Sequence, residues 1–97
     1  ILNNHAGGIF RLIDGPAKQP ELEEFFETRQ KLNASHLAAE FGFEYQLVKN
    51  QEELEKALAN FYEPSLKPKI LEIESSSPKN AEILKKVKDI VKRVIEE

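Results

Sequence analysis

The chain contains no cysteine, no methionine and no tryptophan. Without cysteine there can be no disulfide, no thiolate nucleophile and no thiolate metal site, a composition compatible with a reducing compartment. No apolar run approaches the roughly 20 residues that a membrane-crossing helix requires. Any block of basic residues is missing too: 14 Lys and Arg stand against 17 Asp and Glu, for a net charge of -3 with both signs interspersed. Neither a membrane nor a nucleic acid is therefore an expected partner. What is present, 97 residues of which 40% are hydrophobic, bounds the chain to one domain with a modest core.

The missing methionine bears on the first residues. Ile1-Leu2 is apolar and runs straight into the loop-forming pair Asn3-Asn4. This reads as the last stub of a buried strand that was cut, so the chain is expected to be the C-terminal piece of a larger protein. A processed or engineered terminus on a whole domain is the alternative.

From there the pattern alternates. Ile9 to Ile13 has helical spacing and ends at the turn Asp14-Gly15-Pro16; Pro16 to Pro20 reads as a polar loop. Leu22, Phe25 and Phe26 share one helical face within Glu21 to Thr28. Asn33 is placed to cap a helix over Ala34 to Phe41, which Gly42 stops. Phe43, Tyr45 and Leu47 alternate with polar residues, predicting a strand over Phe43 to Val48. Asn50-Gln51-Glu52-Glu53 has the form of a capping box, opening a helix that runs to about Tyr62 through Leu54, Ala57, Leu58 and Phe61. After the proline-containing loop Glu63 to Pro68, the run Lys69 to Glu74 is of the kind buried in parallel sheets. Ser77 as a cap and Pro78 as the first helical residue open a last helix. Its stripe is Ile83, Leu84, Val87, Ile90, Val91, Val94 and Ile95, broader than a coiled-coil seam and suited to packing on a sheet edge. Strands separated by helices of this length predict an α/β fold, a partial parallel sheet flanked by helices.

The candidate site is Asn3 to Phe10, beyond the C-terminal end of a strand, where open α/β sheets bind ligands. Gly7 and Gly8 allow backbone N–H groups to approach phosphate oxygens. The Asn4 side chain and the Ala6 carbonyl offer neutral hard oxygens of the kind Mg²⁺ takes. Asparagine and glycine also serve any tight strand-to-helix turn, so from spacing alone both readings stand.

Asn3-Asn4 followed by Gly7-Gly8-Ile9-Phe10 resembles the second half of the thiamine-diphosphate motif, which begins with Gly-Asp-Gly and closes with Asn-Asn. The longer stretches Asn3 to Arg11, Pro20 to Arg29 and Ala38 to Tyr45 narrow the choice, together with Glu52-Glu53-Leu54 and Leu71-Glu72-Ile73. They resemble the 2-succinyl-5-enolpyruvyl-6-hydroxy-3-cyclohexene-1-carboxylate synthase family of menaquinone biosynthesis. The resemblance covers most of the chain and fades over the last helix. It implies that residues 1–97 form the C-terminal part of a thiamine-diphosphate-binding, Rossmann-like domain. Asn4 and Ala6 would be metal ligands, Gly7, Gly8 and Ile9 cofactor-binding residues, and Phe10 and Ile13 parts of the substrate pocket. The cofactors implied are thiamine diphosphate and Mg²⁺, or manganese in its place. The reaction implied joins decarboxylated 2-oxoglutarate to isochorismate, in a cytoplasmic homo-oligomer.

No residue of the chain is expected to be catalytic, because the Gly-Asp-Gly aspartate and the activating glutamate would lie outside it. His5 and Ala6 depart from the glycine or asparagine of many relatives, and a left-handed backbone at Ala6 would be strained. His5 and His36 read as exposed or structural, Arg11 and Arg29 as surface residues, and Glu23, Glu24 and Glu27 as a solvated helix face. Other thiamine-diphosphate enzymes, acetolactate-synthase-like or 2-oxo acid decarboxylases, are the near alternatives. A non-catalytic α/β module binding a protein partner is the distant one.

Overall fold

A computed structural model of the chain describes residues 1–96. They form two compact units: one of Ile1–Asn3 with Lys31–Ser75, the other of Asn4–Gln30 with the segment from Ser76 onward.

The first unit is built on three parallel strands, β1 (Leu2–Asn3), β2 (Glu44–Val48) and β3 (Lys69–Glu74), with β3 between the other two. Parallel neighbours need a crossover between them, and α2 (Gln51–Phe61) is the crossover from β2 to β3. This is the expected α/β arrangement, including the short first strand. Tyr45 stands opposite Ile70 and Val48 opposite Ile73. Because side chains alternate along a strand, Val48, Leu71 and Ile73 share one face. Val48, Leu71 and Ala57 form the buried centre there, closed over by Leu54, Leu58 and Phe61 of α2.

The ends of the helices follow from local chemistry. Asn50 Oδ1 accepts the Glu53 N–H at 2.8 Å, and Glu53 reaches back to the Lys49 N–H at 2.8 Å, a variant of the expected capping box. At the other end of α2, Lys69 Nζ donates to the carbonyls of Asn60, Phe61 and Glu63, placing a cation where the helix dipole is negative. The other short helix, α1 (Ser35–Glu40), begins one residue later than expected: Asn33 Oδ1 accepts from Ser35 N as a turn rather than as its cap. It ends as Gly42 predicts. Gly42 has φ +72°, and the N–H groups of Gly42 and Phe43 return to Ala39 and Ala38, the paired bonds of a Schellman motif.

On the opposite face of the sheet, Glu72 is only 1% exposed. A buried carboxylate requires donors, and it accepts from Asn3 Nδ2 at 2.8 Å, Ala34 N at 2.7 Å and Tyr45 Oη at 3.1 Å. The run Lys69 to Glu74 is therefore not simply apolar: its charged member ties β1, β2 and the start of α1 to β3.

The second unit contains a 3-10 helix at Gly8–Arg11, a 3-10 turn at Pro16–Lys18, a single π-type turn at Leu22–Phe26, and α3 (Ser77–Glu96). The first and third replace the helices expected at Ile9 to Ile13 and Glu21 to Thr28, and the second lies in the expected loop. The π turn closes through Glu27 N to Leu22 O at 2.8 Å, and Thr28 follows with φ +51°. Helix α3 starts at Ser77 itself. Its cap is Ser76, whose hydroxyl accepts from Lys79 N at 3.4 Å, and Pro78 is the second helical residue rather than the first. Within its unit α3 packs against Gly8–Arg11. Most of its apolar stripe (Ile83, Val87, Ile90, Val91, Val94 and Ile95) is about half exposed or more. Among the described residues no helix is long and apolar enough to cross a membrane.

Candidate functional site

Past the end of β1 the chain turns sharply. Asn4 Oδ1 accepts the Ala6 N–H at 3.0 Å, an Asx turn of the kind asparagine forms two residues ahead of itself. The left-handed residue is His5, with φ +58°, so the strained position is His5 and not Ala6. His5 is half-buried, not a free surface histidine, and its carbonyl accepts from Gln30 N at 2.9 Å. Gly7 N donates to Glu27 O at 2.7 Å. Two backbone bonds thus pin the turn to residues 27–30.

The two glycines are tightly enclosed. A Cβ on Gly8 would lie 2.7 Å from Asn4 Nδ2 and 3.2 Å from Ser77 Oγ; one on Gly7 would lie 3.2 Å from the Glu27 carbonyl oxygen. Asn4, Ala6, Gly7 and Gly8 are accordingly brought together as one turn. Phe10 is half-buried against Phe26, with ring centroids 5.6 Å apart, whereas Ile9 and Ile13 are exposed. Gly7 directs its N–H inward to Glu27, so its part is close backbone approach rather than donation outward. Asn3 is separated from this group by its chemistry: its amide donates to Glu72 and to the Leu32 carbonyl, bracing the sheet. Of the Asn3-Asn4 pair, Asn4 is the one in the turn.

Three residues read from the sequence as surface features, or given another role, prove to be structural. Glu27 is 1% exposed, not part of a solvated face. Its carboxylate receives Arg11 Nε, Arg11 Nη2 at 3.1 Å and the Ser77 hydroxyl. Arg11 is correspondingly enclosed, and its guanidinium is held above its usual pKa first by Glu27 and then by Glu23. The Arg11 hydrogen bond, reinforced by the charge of Arg29, holds the Glu23 carboxyl below the ordinary carboxylate range. His36 and Glu24 are exposed, as expected. Sequence spacing carried one weak sign of the Glu27 cluster, the short apolar stretch around Phe25-Phe26. Nothing local pointed to Ser77.

Two oxygen donors in the turn, the Asn4 side chain and the Ala6 carbonyl, are of the neutral, hard type that Mg²⁺ takes. Asn4 Oδ1 spends one lone pair on Ala6 N and retains the second. Both donors are neutral, so a dication held here needs anionic oxygens from a ligand or another segment. Among the described residues no group of three or more His, Asp or Glu is arranged to hold a metal.

No family model matches the chain. Its relatives are more informative. A 2-succinyl-5-enolpyruvyl-6-hydroxy-3-cyclohexene-1-carboxylate synthase from Cytophaga hutchinsonii is 54% identical over 93 residues, which is 96% of this chain and 17% of the relative. Proteins of the same name from Christiangramia forsetii and Porphyromonas gingivalis are 39% and 36% identical, over 87% and 88% of the chain and 15% of each relative. The chain thus spans about a sixth of the length of the curated relatives it matches. Along nearly its whole length, this chain is homologous to one segment of the 2-succinyl-5-enolpyruvyl-6-hydroxy-3-cyclohexene-1-carboxylate synthases.

Proposed function

We propose that the Asn4–Gly8 turn supplies half of a thiamine-diphosphate and Mg²⁺ site. The enzyme is a synthase that decarboxylates 2-oxoglutarate and adds the product carbanion to isochorismate in menaquinone biosynthesis. The observation that carries this reading is the 54% identity across 96% of the chain to a relative bearing the synthase's name. The tight Asn4–Ala6 turn supports it. In this reading residues 1–97 are the C-terminal part of the cofactor-binding domain, in a cytoplasmic homo-oligomer.

Asn4 and Ala6 hold the metal. Gly7 and Gly8 let the backbone come close to the diphosphate. Ile9, Phe10 and Ile13 present an apolar wall to cofactor and substrate; the exposure of Ile9 and Ile13 leaves them open to such contact. Thiamine diphosphate, when bound, supplies the electron sink for carbanion chemistry, while the protein's part is orientation and electrostatics.

The test is made on the full-length protein. Release of CO₂ from 2-oxoglutarate with consumption of isochorismate, dependent on thiamine diphosphate and Mg²⁺, is expected. Asn4→Ala is expected to weaken the apparent Mg²⁺ affinity at least as much as loss of a ligand-supporting group does, about 10- to 100-fold. Turnover of other 2-oxo acids with isochorismate untouched would instead place the protein among the acetolactate-synthase-like enzymes or decarboxylases. The 97 residues alone, with two neutral donors, are expected to bind the cofactor and Mg²⁺ negligibly; calorimetry showing micromolar binding would overturn that.

A further inference from the structure

Glu27 makes three sets of contacts in and around the candidate turn, and none of them is required by the chemistry assigned to Asn4 and Ala6. Its carbonyl accepts the Gly7 N–H at 2.7 Å. Its carboxylate accepts both Nε and Nη2 of Arg11, the last residue of the 3-10 helix that follows the turn. The same carboxylate accepts the Ser77 hydroxyl, and Ser77 Oγ lies 3.2 Å from where a Cβ on Gly8 would stand. The Glu27 side chain is fully enclosed and that of Ser77 is buried. A buried carboxylate with this set of donors has one geometry open to it, because any rotation leaves a charge unpaired away from water. One side chain and its own carbonyl therefore tie Gly7 to Arg11 and hold Ser77 beside Gly8.

We infer that Glu27 is a positioning residue: it holds the Asn4–Arg11 segment in its binding conformation before any ligand arrives. The consequence for cofactor binding rests on the function proposed above; the consequence for the loop itself does not. A loop ordered in advance loses less conformational freedom on binding. Glu27 therefore acts on affinity and not on the chemical step, and it reaches the ligand only through the backbone of Gly7 and the segment that Arg11 closes.

The experiment compares full-length wild-type protein with Glu27→Gln, which keeps the shape and removes the charge. Hydrogen exchange without ligands is read on peptides covering residues 4–11 and, as an internal control, residues 51–74. Exchange in 4–11 is expected to quicken about tenfold, as the loss of one hydrogen bond to a charged group would bring, with the control unchanged. Half-saturation by thiamine diphosphate with Mg²⁺ is expected to rise by about tenfold, as for loss of a supporting group. The kcat at saturating cofactor is expected to stay within about twofold of wild type, since ordering a loop in advance lowers the cost of binding and leaves the chemical step alone. Unchanged exchange in 4–11 would overturn the inference. So would a uniform rise across both regions with unaltered half-saturation, which is the signature of a purely structural role. Should Glu27→Gln not fold, Arg11→Lys, which keeps the charge and loses the second donor, carries the same readouts with a smaller shift. If the wild-type protein shows no dependence on thiamine diphosphate, the proposed function fails, and the exchange measurement alone decides the role of Glu27.

Discussion

A Cβ placed on Gly8 meets the Asn4 amide nitrogen at 2.7 Å and the Ser77 hydroxyl at 3.2 Å. Neither neighbour is free to retreat, since Asn4 is held by Ala6 N and Ser77 by Glu27. Gly8→Ala is expected to cost about 1–3 kcal/mol, the usual range for overpacking, read as a lower urea midpoint at unchanged slope. Tyr45 gives a residue-level pH prediction. Burial, and then its hydrogen bond to Glu72, raise its phenolic pKa above the ordinary value. A raised folded pKa means that the stabilisation is complete below the unfolded value of about 10 and is lost as pH rises through the folded value. Tyr45→Phe is expected to destabilise at neutral pH by about 1 kcal/mol through the lost hydrogen bond. It should also flatten the alkaline fall in stability, which a denaturation series across that range would display. Glu23 works in the opposite direction. Its pKa is lowered by Arg11 and then Arg29, so its contribution is present above the ordinary carboxylate pKa and lost as pH falls through the lower folded value. In a carboxyl titration followed by NMR, Arg11→Gln should return Glu23 toward its ordinary value.

At the scale of the element, the helix ends separate what composition decides from what neighbours decide. Asn50 caps α2 through a contact three residues away, the range over which a sequence motif is written. Asn50→Ala is expected to cost about 1 kcal/mol; a loss below a few tenths in thermal unfolding would show that the cap is redundant with Glu53. Ser77 had the same credentials for α3, yet its hydroxyl is drawn to Glu27 and the cap passes to Ser76. The π-type turn at Leu22–Phe26 has a similar origin. Leu22 and Glu27 are both buried, and the wider turn places them five residues apart on one bonded ring. A regular helix would have paired residues four apart instead.

Across the whole molecule, the buried apolar residues among those described are few: Leu22, Ala38, Val48, Ala57 and Leu71. Each of the two units also buries a carboxylate, Glu72 in the first and Glu27 in the second. Breaking either set has an effect out of proportion to its size, because removing one partner of a buried charge typically costs about 3–5 kcal/mol. Meanwhile α3 leaves Val87, Ile90, Val91, Val94 and Ile95 at least half exposed along one stripe. Contiguous apolar surface of this kind drives association. The 97-residue chain is therefore expected to sediment in a concentration-dependent way, and Val91→Lys with Val94→Lys to reduce that dependence. A sharp monomer boundary at all concentrations would contradict the expectation.

Much of this was legible in the sequence. The order of the strands and of α1, α2 and α3, the parallel pairing, the Asn50 cap of α2, the Gly42 stop and the extent of α3 all rest on periodicities and capping rules that act within about four residues, whereas the helices expected at Ile9 to Ile13 and Glu21 to Thr28 gave way to tighter and wider turns. The Asn4-to-Gly8 turn was legible for the same reason, and so was the kinship of the chain, which depends on residue identity alone. What only the tertiary structure decided are the charges that go inside. Glu27 meets Arg11 and Ser77, 16 and 50 positions away, and Glu72 meets Asn3, 69 positions away. A glutamate beside Phe26 or between Leu71 and Ile73 looks the same in a sequence whether it faces water or a guanidinium. The choice is made by partners that the folded chain brings within hydrogen-bonding distance, and no local rule spans that separation.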